Sequence, residues 1–488
     1  MVLGLVPAAI NHFCVTGKSN RRKTTIDMLP DDLLLEISYF CRIHPSFKFF
    51  FHGACQWKWH LLAHVYVCQR WRQIIFESPQ RLDIRILCTH ETPVREKLHI
   101  WPTLPIMVDC NPLEDIGPEG EDNVVAALGH SDRVCYIKVM RSELEKMVTV
   151  MQVPFPALTH LELYSRHDDE DVPALSAGFL GGSAPRLQEI SLSRIPFPSL
   201  PTLLLSTGNL VRLYLSGIPS TGYISPEAMA VGLAPLSKLE NLWISFDSFS
   251  SDQIRPPPAT RIVLPALITF SFQGAYTYFE NIVACIDSPQ LDRIHINFSD
   301  QLFDIPVAQL SKFLDRSMGP KLALLKHAHI GLSGYFFSFL IYRHPSSDWH
   351  ISSEGIDLQV PNIAHSFRQF SATLSNVIHL RLEVKRREGR QLEGTVEVEW
   401  MHLLRQFSAM QSLYVSQDLA GPISLALEDI TAEMAIEVWP SLDLICLEGL
   451  PAASIEKFVT ARKLSGRPVI VVDTKTEFSE RLEFSVEE

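Results

Sequence analysis

The sequence contains no Cys-x-x-Cys pair, and its cysteines are odd in number, nine in all. Seven of them fall within the first 135 residues, without the spacing of a disulfide framework. Both facts argue against a disulfide-stapled secreted domain and fit a reducing compartment, cytoplasmic, nuclear or both. The sequon Asn297-Phe298-Ser299 falls inside an expected strand and reads as a chance match. An excess of basic residues is also missing. Lys and Arg total 43 against 55 Asp and Glu, a net charge of −12. Phosphate backbones and anionic bilayers attract basic surfaces, so neither nucleic acid nor a membrane is an expected partner. The longest uncharged stretches, 262–279 and 195–211, are interrupted by proline. They fall short of the roughly 20 continuous apolar residues of a spanning helix. They read as β-strands with their connections. The apolar opening, residues 2–10, has no positive segment before it, and the basic run Lys18, Arg21, Arg22, Lys23 follows it. Residues 1–23 therefore read as a disordered leader and not as a secretory signal.

What is present is apolar residues, 46% of 488, in a regular order. A pattern Φ-x-x-Φ-x-Φ, with Φ apolar, recurs along most of the chain. It runs through Val134-Ile137-Val139, Leu158-Leu161-Leu163, Leu187-Ile190-Leu192 and Leu210-Leu213-Leu215. It continues through Leu239-Leu242-Ile244, Leu267-Phe270-Phe272 and Leu291-Ile294-Ile296, and returns at Val377, Met410 and Leu442. The first seven copies are spaced by 24, 29, 23, 29, 28 and 24 residues. The gap of 86 before Val377 is close to three periods, and the last two gaps are 33 and 32. Turn formers precede the anchors, as in Phe155-Pro156-Ala157 and Ser288-Pro289-Gln290. This spacing resembles the leucine-rich repeat. In each short strand the second and third Φ residues point the same way, because side chains alternate, and the residues between them face out. The stretches 227–233, 279–286 and 307–314 have helical apolar spacing. The expected fold is α/β: a solenoid over residues 134–475 with a curved parallel sheet on its concave face, capped through 77–133 and followed by an acidic tail, 476–488. Between 298 and 376 the register is lost, with Leu322-Leu325 and 335–342 as candidate strands.

Residues 24–76 follow another pattern. Leu29-Pro30-Asp31-Asp32-Leu33-Leu34-Leu35-Glu36-Ile37 opens a helix, with Pro30 suited to the first turn and both aspartates to the positive helix N-terminus. A second helix runs from Trp59 through Val67-Cys68-Gln69-Arg70-Trp71-Arg72 to Ile75, with Val67, Trp71 and Ile74 on one face. Residues 44–58 form an aromatic-rich insert between the two. Leu-Pro-x-x-Leu-Leu-x-x-Ile followed by Val-Cys-x-x-Trp resembles the F-box. Arg81–Ile86 reads as the first strand behind it. Together with Trp57-x-Trp59-His60 and irregular leucine-rich repeats, the set is similar to the large fungal group of F-box proteins.

The resemblance implies a small all-helical F-box module ahead of the solenoid, and a role without catalysis. F-box proteins are substrate receptors of SCF-type ubiquitin ligases, tied by a Skp-type adaptor to cullin and RING subunits. On that resemblance Leu29, Pro30, Leu34 and Ile37 supply apolar adaptor contacts, with Cys68 and Trp71 as neighbours or support. The alternative is a leucine-rich interaction scaffold without a ligase role; an enzyme hidden in 298–376 is a third reading.

Other chemistry is weaker. Cys55, His60, His64 and Cys68 have zinc-compatible side chains, but three of the four would share one helix, which suits a tetrahedral site poorly. Gly17-Lys18-Ser19 lacks the first glycine and the preceding strand of a phosphate-binding loop. His327-x-His329 has no carboxylate at metal spacing and reads as solenoid surface or turn. The acidic run Asp168-Asp169-Glu170-Asp171 reads as a solvated loop. No catalytic constellation, metal site or cofactor is expected. The expected target-binding face carries Arg212, Tyr214, Trp243, Arg293, His295, Arg381 and Tyr414, residue types that dominate binding hot spots.

Overall fold

An apolar side chain at alternate strand positions buries one face of a strand, and a short strand on its own has nothing to bury it against. The chain meets that requirement by stacking. The computed structural model describes residues 29–43, 68–77, 85–89, 95, 98–99, 104–110, 118–140, 144–165, 174–247, 261–298, 308–333, 336–342, 348–354, 367–384, 397–428, 439–450 and 452–472. They belong to two units, 1–85 and 86–488.

In the first unit, α1 spans Asp31–Ile43 and α2 spans Gln69–Glu77. Pro30 stands just ahead of α1, not in its first turn: its carbonyl accepts the amides of Leu33 and Leu34. Leu34 and Leu35 pack on Trp71 and Ile74, with Leu29 and Cys68 against the edge of this cluster. Arg70 joins the two helices, donating to the Leu29 carbonyl at 2.7 Å and to Asp31 Oδ1 at 2.5 Å. The leader, the insert and the helix expected from Trp59 to Val67 lie outside the described residues, as do Arg81–Ile84, the loop 168–171 and the tail 476–488.

The second unit begins with β1 (Ile86–Cys88) and β2 (Ile106–Cys110), from a region expected to be linker and cap. It continues through α3 (Pro118–Leu128), β3 (Val134–Met140), α4 (Leu144–Val150), β4 (His160–Tyr164), β5 (Glu189–Ser193), α5 (Leu200–Leu204) and β6 (Arg212–Ile218). Next come α6 (Pro226–Leu233), β7 (Asn241–Phe246), β8 (Ile262–Val263), β9 (Thr269–Gly274), α7 (Tyr276–Cys285), β10 (Ile286–Asp287), β11 (Arg293–Phe298) and α8 (Ala308–Met318). Strands β12 (His327–Ser333), β13 (Phe336–Tyr342) and β14 (Asp348–Glu354) follow without an intervening helix among the described residues. The last elements are α9 (Ser371–Leu374), β15 (His379–Val384), α10 (Glu397–Leu404), β16 (Ser412–Val415), α11 (Gln417–Glu428), β17 (Leu444–Leu447), α12 (Glu456–Leu464) and β18 (Ile470–Val472). Sixteen of these strands form one sheet, and β8 pairs with β10 apart from it. No described helix is long and apolar enough to cross a membrane.

Each repeat is built the same way. The amide of the anchor residue closes a turn onto the carbonyl three residues back: Leu158 on Phe155, Leu187 on Ala184, Leu210 on Thr207, Leu291 on Ser288, Met410 on Phe407. The next amide then reaches the preceding repeat, as Val211 does to Gln188 and Glu240 to Val211. All three Φ positions are buried in every copy from Val134 to Leu447. At roughly 1.5–3 kcal/mol for each buried aliphatic side chain, the triplet is the main attraction between neighbouring repeats. The stretches expected to be helical are α6, α7 and α8, which pack in succession.

The segment 298–376 is the correction. Residues 319–324 form a 3-10 turn, not a strand. Leu325 closes that turn on Leu322, and Ala328 and Ile330 complete a buried triplet in register with Leu380 and Leu382. The gap of about three expected periods, which would hold two further anchors, holds one among the described residues, Leu325. The remainder is an antiparallel excursion: β13 pairs antiparallel with both β12 and β14, and β14 returns parallel to β11. The order in space is β11-β14-β13-β12-β15. The strand expected at 335–342 exists, but it runs against the rest of the sheet.

Buried polar groups are tied across repeats. Glu280 is 2% exposed, and its carboxylate accepts the amides of Gln309 and Leu310 at the start of α8. Arg462 is 1% exposed and donates to the carbonyls of Trp439 and Leu442.

Candidate functional site

The helices cover one face of the sheet's side chains, and the alternate residues form the open face. Register places these in continuous rows. One row passes through Asp109, Lys138, Glu162, Ser191, Tyr214, Trp243, Ser271 and His295. Beyond β14 it continues through Leu340, His329, Arg381 and Tyr414. A second row holds Tyr136, His160, Glu189, Arg212, Asn241, Thr269 and Arg293. All seven residues expected on the binding face stand in these two rows, at outward positions.

Their surroundings differ. The early end of the face is charged and neutralised within itself. Lys138 Nζ lies 2.8 Å from Glu162, and Arg212 Nη2 lies 2.6 Å from Glu189. Burial pushes the Asp109 carboxyl up, against the pull of Lys138. Tyr136 is also raised, by burial and then by Glu162. The Glu189 hydrogen bond raises Arg212. Arg212 is therefore an ion-paired residue and not a spare cation.

The middle of the face is uncharged. Tyr214 and Trp243 stand side by side in register, and Trp243 is 41% exposed. With Asn241, Thr269, Ser271, Gln273, His295 and Asn297 they line a depression of about 530 Å³. Burial, then Glu189, raises the Tyr214 phenol. None of the lining residues is Asp, Glu, Lys or Arg. Thr269 Oγ1 and Asn297 Oδ1 are buried there without a hydrogen-bond partner among the described residues.

The late end is a cluster of charged and aromatic side chains in contact. The Arg381 guanidinium sits 4.6 Å from the Tyr414 ring centre, and Glu383 Oε2 lies 3.3 Å from Arg381 and 3.1 Å from His329. The Tyr414 hydroxyl donates to Glu448 at 3.3 Å. His327 and His379 stack with ring centres 4.7 Å apart, and burial lowers both imidazoles. His327 and His329 thus belong to a strand, on its open face, and not to a turn. No group of three or more His, Cys, Asp or Glu is placed to hold a metal ion among the described residues. Of the zinc-compatible set only Cys68 is described, partly buried beside the two-helix cluster.

The expected adaptor residues separate into two kinds. Pro30 and Ile37 are exposed, whereas Leu34 and Trp71 are buried at 2% and 4%. Leu34 therefore points into its own unit and not outward, because the helical turn that places Leu35 and Leu34 on α2 turns their neighbours away. Leu29 and Cys68 are partly buried supports. Leu33, 49% exposed, is the outward residue missing from the expectation. A run of three leucines conceals which one faces out. The small polar residues lining the depression were also missed; strand parity gives their outward position but not the depression.

No family model matches the chain, and no curated protein matches it. Among solved structures, the leucine-rich repeat-containing protein LegL7 from Legionella pneumophila is similar over 68% of this chain and 98% of its own. The identity is 14% and the TM-score 0.26.

Proposed function

We propose that this chain is a non-catalytic substrate receptor of the cytoplasm or nucleus. The helical pair of its first unit docks a Skp-type adaptor, and through it the cullin and RING subunits of an SCF-type ubiquitin ligase. The open face of its sheet takes a target protein. The observation that carries the reading is the middle of that face, where an exposed Trp and its Tyr neighbour border a depression lined by amide and hydroxyl side chains. Aromatic residues are enriched where protein partners meet. For the adaptor, support comes from Leu33 and Ile37, exposed on a helix whose opposite side is already packed. A second reading is an interaction scaffold without a ligase role; the burial of Leu34 and Trp71 favours it.

Affinity capture of the intact protein, scored for adaptor and cullin, tests the ligase reading. Co-purification of both supports it; a target captured without either replaces it with the scaffold. Charge reversal of Arg293 and Arg212 tests the face, with loss of target capture expected. Arg212→Glu needs a folding control, because it also breaks the pair with Glu189.

A further inference from the structure

The depression between β6 and β11 is a specific place on a long face, and its chemistry is selective. Its floor and walls are aromatic and amide, and they carry no charge. The Trp243 indole offers a broad flat surface to an apolar side chain. Asn241, Ser271 and Gln273 add amide and hydroxyl groups to its lining. Side-chain amides and hydroxyls match the alternating donors and acceptors of an extended backbone, as a sheet edge does.

The rim adds a sign. Arg293 follows Thr269 in register, exposed, and makes no ion pair among the described residues. Arg212, the cation on the other side, is already neutralised by Glu189. Among the described residues, the rim therefore presents Arg293 as a positive charge without an ion pair, beside a neutral pocket. Two strand spacings and two residues separate Trp243 from Arg293, about 12 Å by standard sheet dimensions, which three to four extended residues span.

We propose that this depression seats an extended acidic peptide segment of a protein partner, its large apolar side chain on Trp243 and, three or four residues away, an anionic side chain on Arg293. The inference rests on the receptor reading above. The aromatic anchor supplies most of the affinity and the arginine supplies selection by charge. A neutral glycan would suit the aromatic and amide lining but would leave Arg293 unmatched.

The test is selection of a random 12-residue peptide display library on the full-length protein, repeated with Trp243→Ala and Arg293→Glu, each checked for folding by circular dichroism and melting. Enrichment of a large apolar residue three or four positions from Asp or Glu is expected. Synthetic copies of the winners should bind Trp243→Ala about tenfold or more weakly. Arg293→Glu should shift selection from acidic to basic residues at the second position. Replacing the acid with phosphoserine in a winning peptide separates the two anion sources; equal or tighter binding assigns the site to phosphorylated segments as well, and weaker binding to carboxylates. No enrichment, or winners indifferent to Arg293→Glu, overturns the proposal. So does a neutral oligosaccharide array giving Trp243-dependent hits while peptides give none. If peptides fail while Trp243→Ala still abolishes capture of a whole protein, the peptide inference falls and the receptor reading stands.

Discussion

Glu280 accepts the backbone amide of Gln309 at 2.7 Å, so a side chain of one repeat caps the helix of the next. The same carboxylate takes the Leu310 amide at 3.0 Å. Removing it in Glu280→Ala leaves two amides without their acceptor. The expected loss is about 1–3 kcal/mol, read as a lowered denaturation midpoint.

The pH dependence of that loss has a definite sign. Burial raises Glu280 to about 7 from an ordinary 4.5, against the pull of the two amides. A group with a raised folded pKa binds its proton more tightly in the folded chain. Its contribution is full below about 4.5 and declines as pH rises through about 7. The melting difference between wild type and Glu280→Ala should be larger at pH 5 than at pH 8. An unchanged or reversed difference would mean that burial does not dominate at this carboxylate.

The stacked His327 and His379 pull the other way. Burial lowers both, aided for His327 by its neighbour and resisted for His379 by Asp443. Their stabilising contribution is present above the ordinary imidazole range and is lost as pH falls below it. His379→Gln keeps a polar group near Ser412, which lies 2.7 Å from His379 Nδ1. The variant should lose less stability than wild type on going from pH 7.5 to pH 5.5. Melting curves of the two at both pH values decide it.

Gly232 marks the closest approach of α5 and α6. A Cβ built there would lie 2.7 Å from Pro201 Cα, which is backbone and cannot step aside. Alanine would gain about 0.8–1 kcal/mol of helix propensity. Overpacking at about 1–3 kcal/mol outweighs that, so Gly232→Ala should melt lower. Gly208→Ala is the control: nothing lies within 4 Å of its Cβ, and its midpoint should hold.

On α1, Leu33→Asp and Leu34→Ala should have opposite phenotypes. Leu33 is exposed and Leu34 is 2% exposed. Leu34→Ala empties part of a small core and costs about 2–5 kcal/mol, seen as loss of protection of α1 in hydrogen exchange. Leu33→Asp should keep that protection and still reduce adaptor capture, about tenfold for a buried contact. Full capture by Leu33→Asp would move the docking surface elsewhere.

The parallel strands were legible because each spends large apolar residues at fixed positions, with a turn before the anchor. The repeat at Leu325 was not, because Ala328 fills the second slot with a methyl group. The excursion was illegible for a different reason. Phe336-Phe337-Ser338-Phe339-Leu340-Ile341-Tyr342 is apolar on both parities, and nothing in such a run records which way a strand points. The outward rows followed from parity, so Tyr214, Trp243 and Arg293 were visible as candidates. The depression was not: Thr269, Ser271 and Asn297 look like any solvated surface until two of their neighbours prove to be aromatic. The ion pair of Arg212 with Glu189 was equally hidden, since the partners are joined only when repeats stack.

The order of synthesis and the order in space agree from β1 to β7, through β9 to β11, and again from β15 to β18. Between them they disagree. The place beside β11 belongs to β14, which begins at Asp348, 15 residues after β12 ends at Ser333. The later array therefore joins β11 through β14 and not through the next strand in sequence, β12. Among the described residues the β14–β11 pairing is the single strand link between the two arrays, so a change that loosens β14 would part them there.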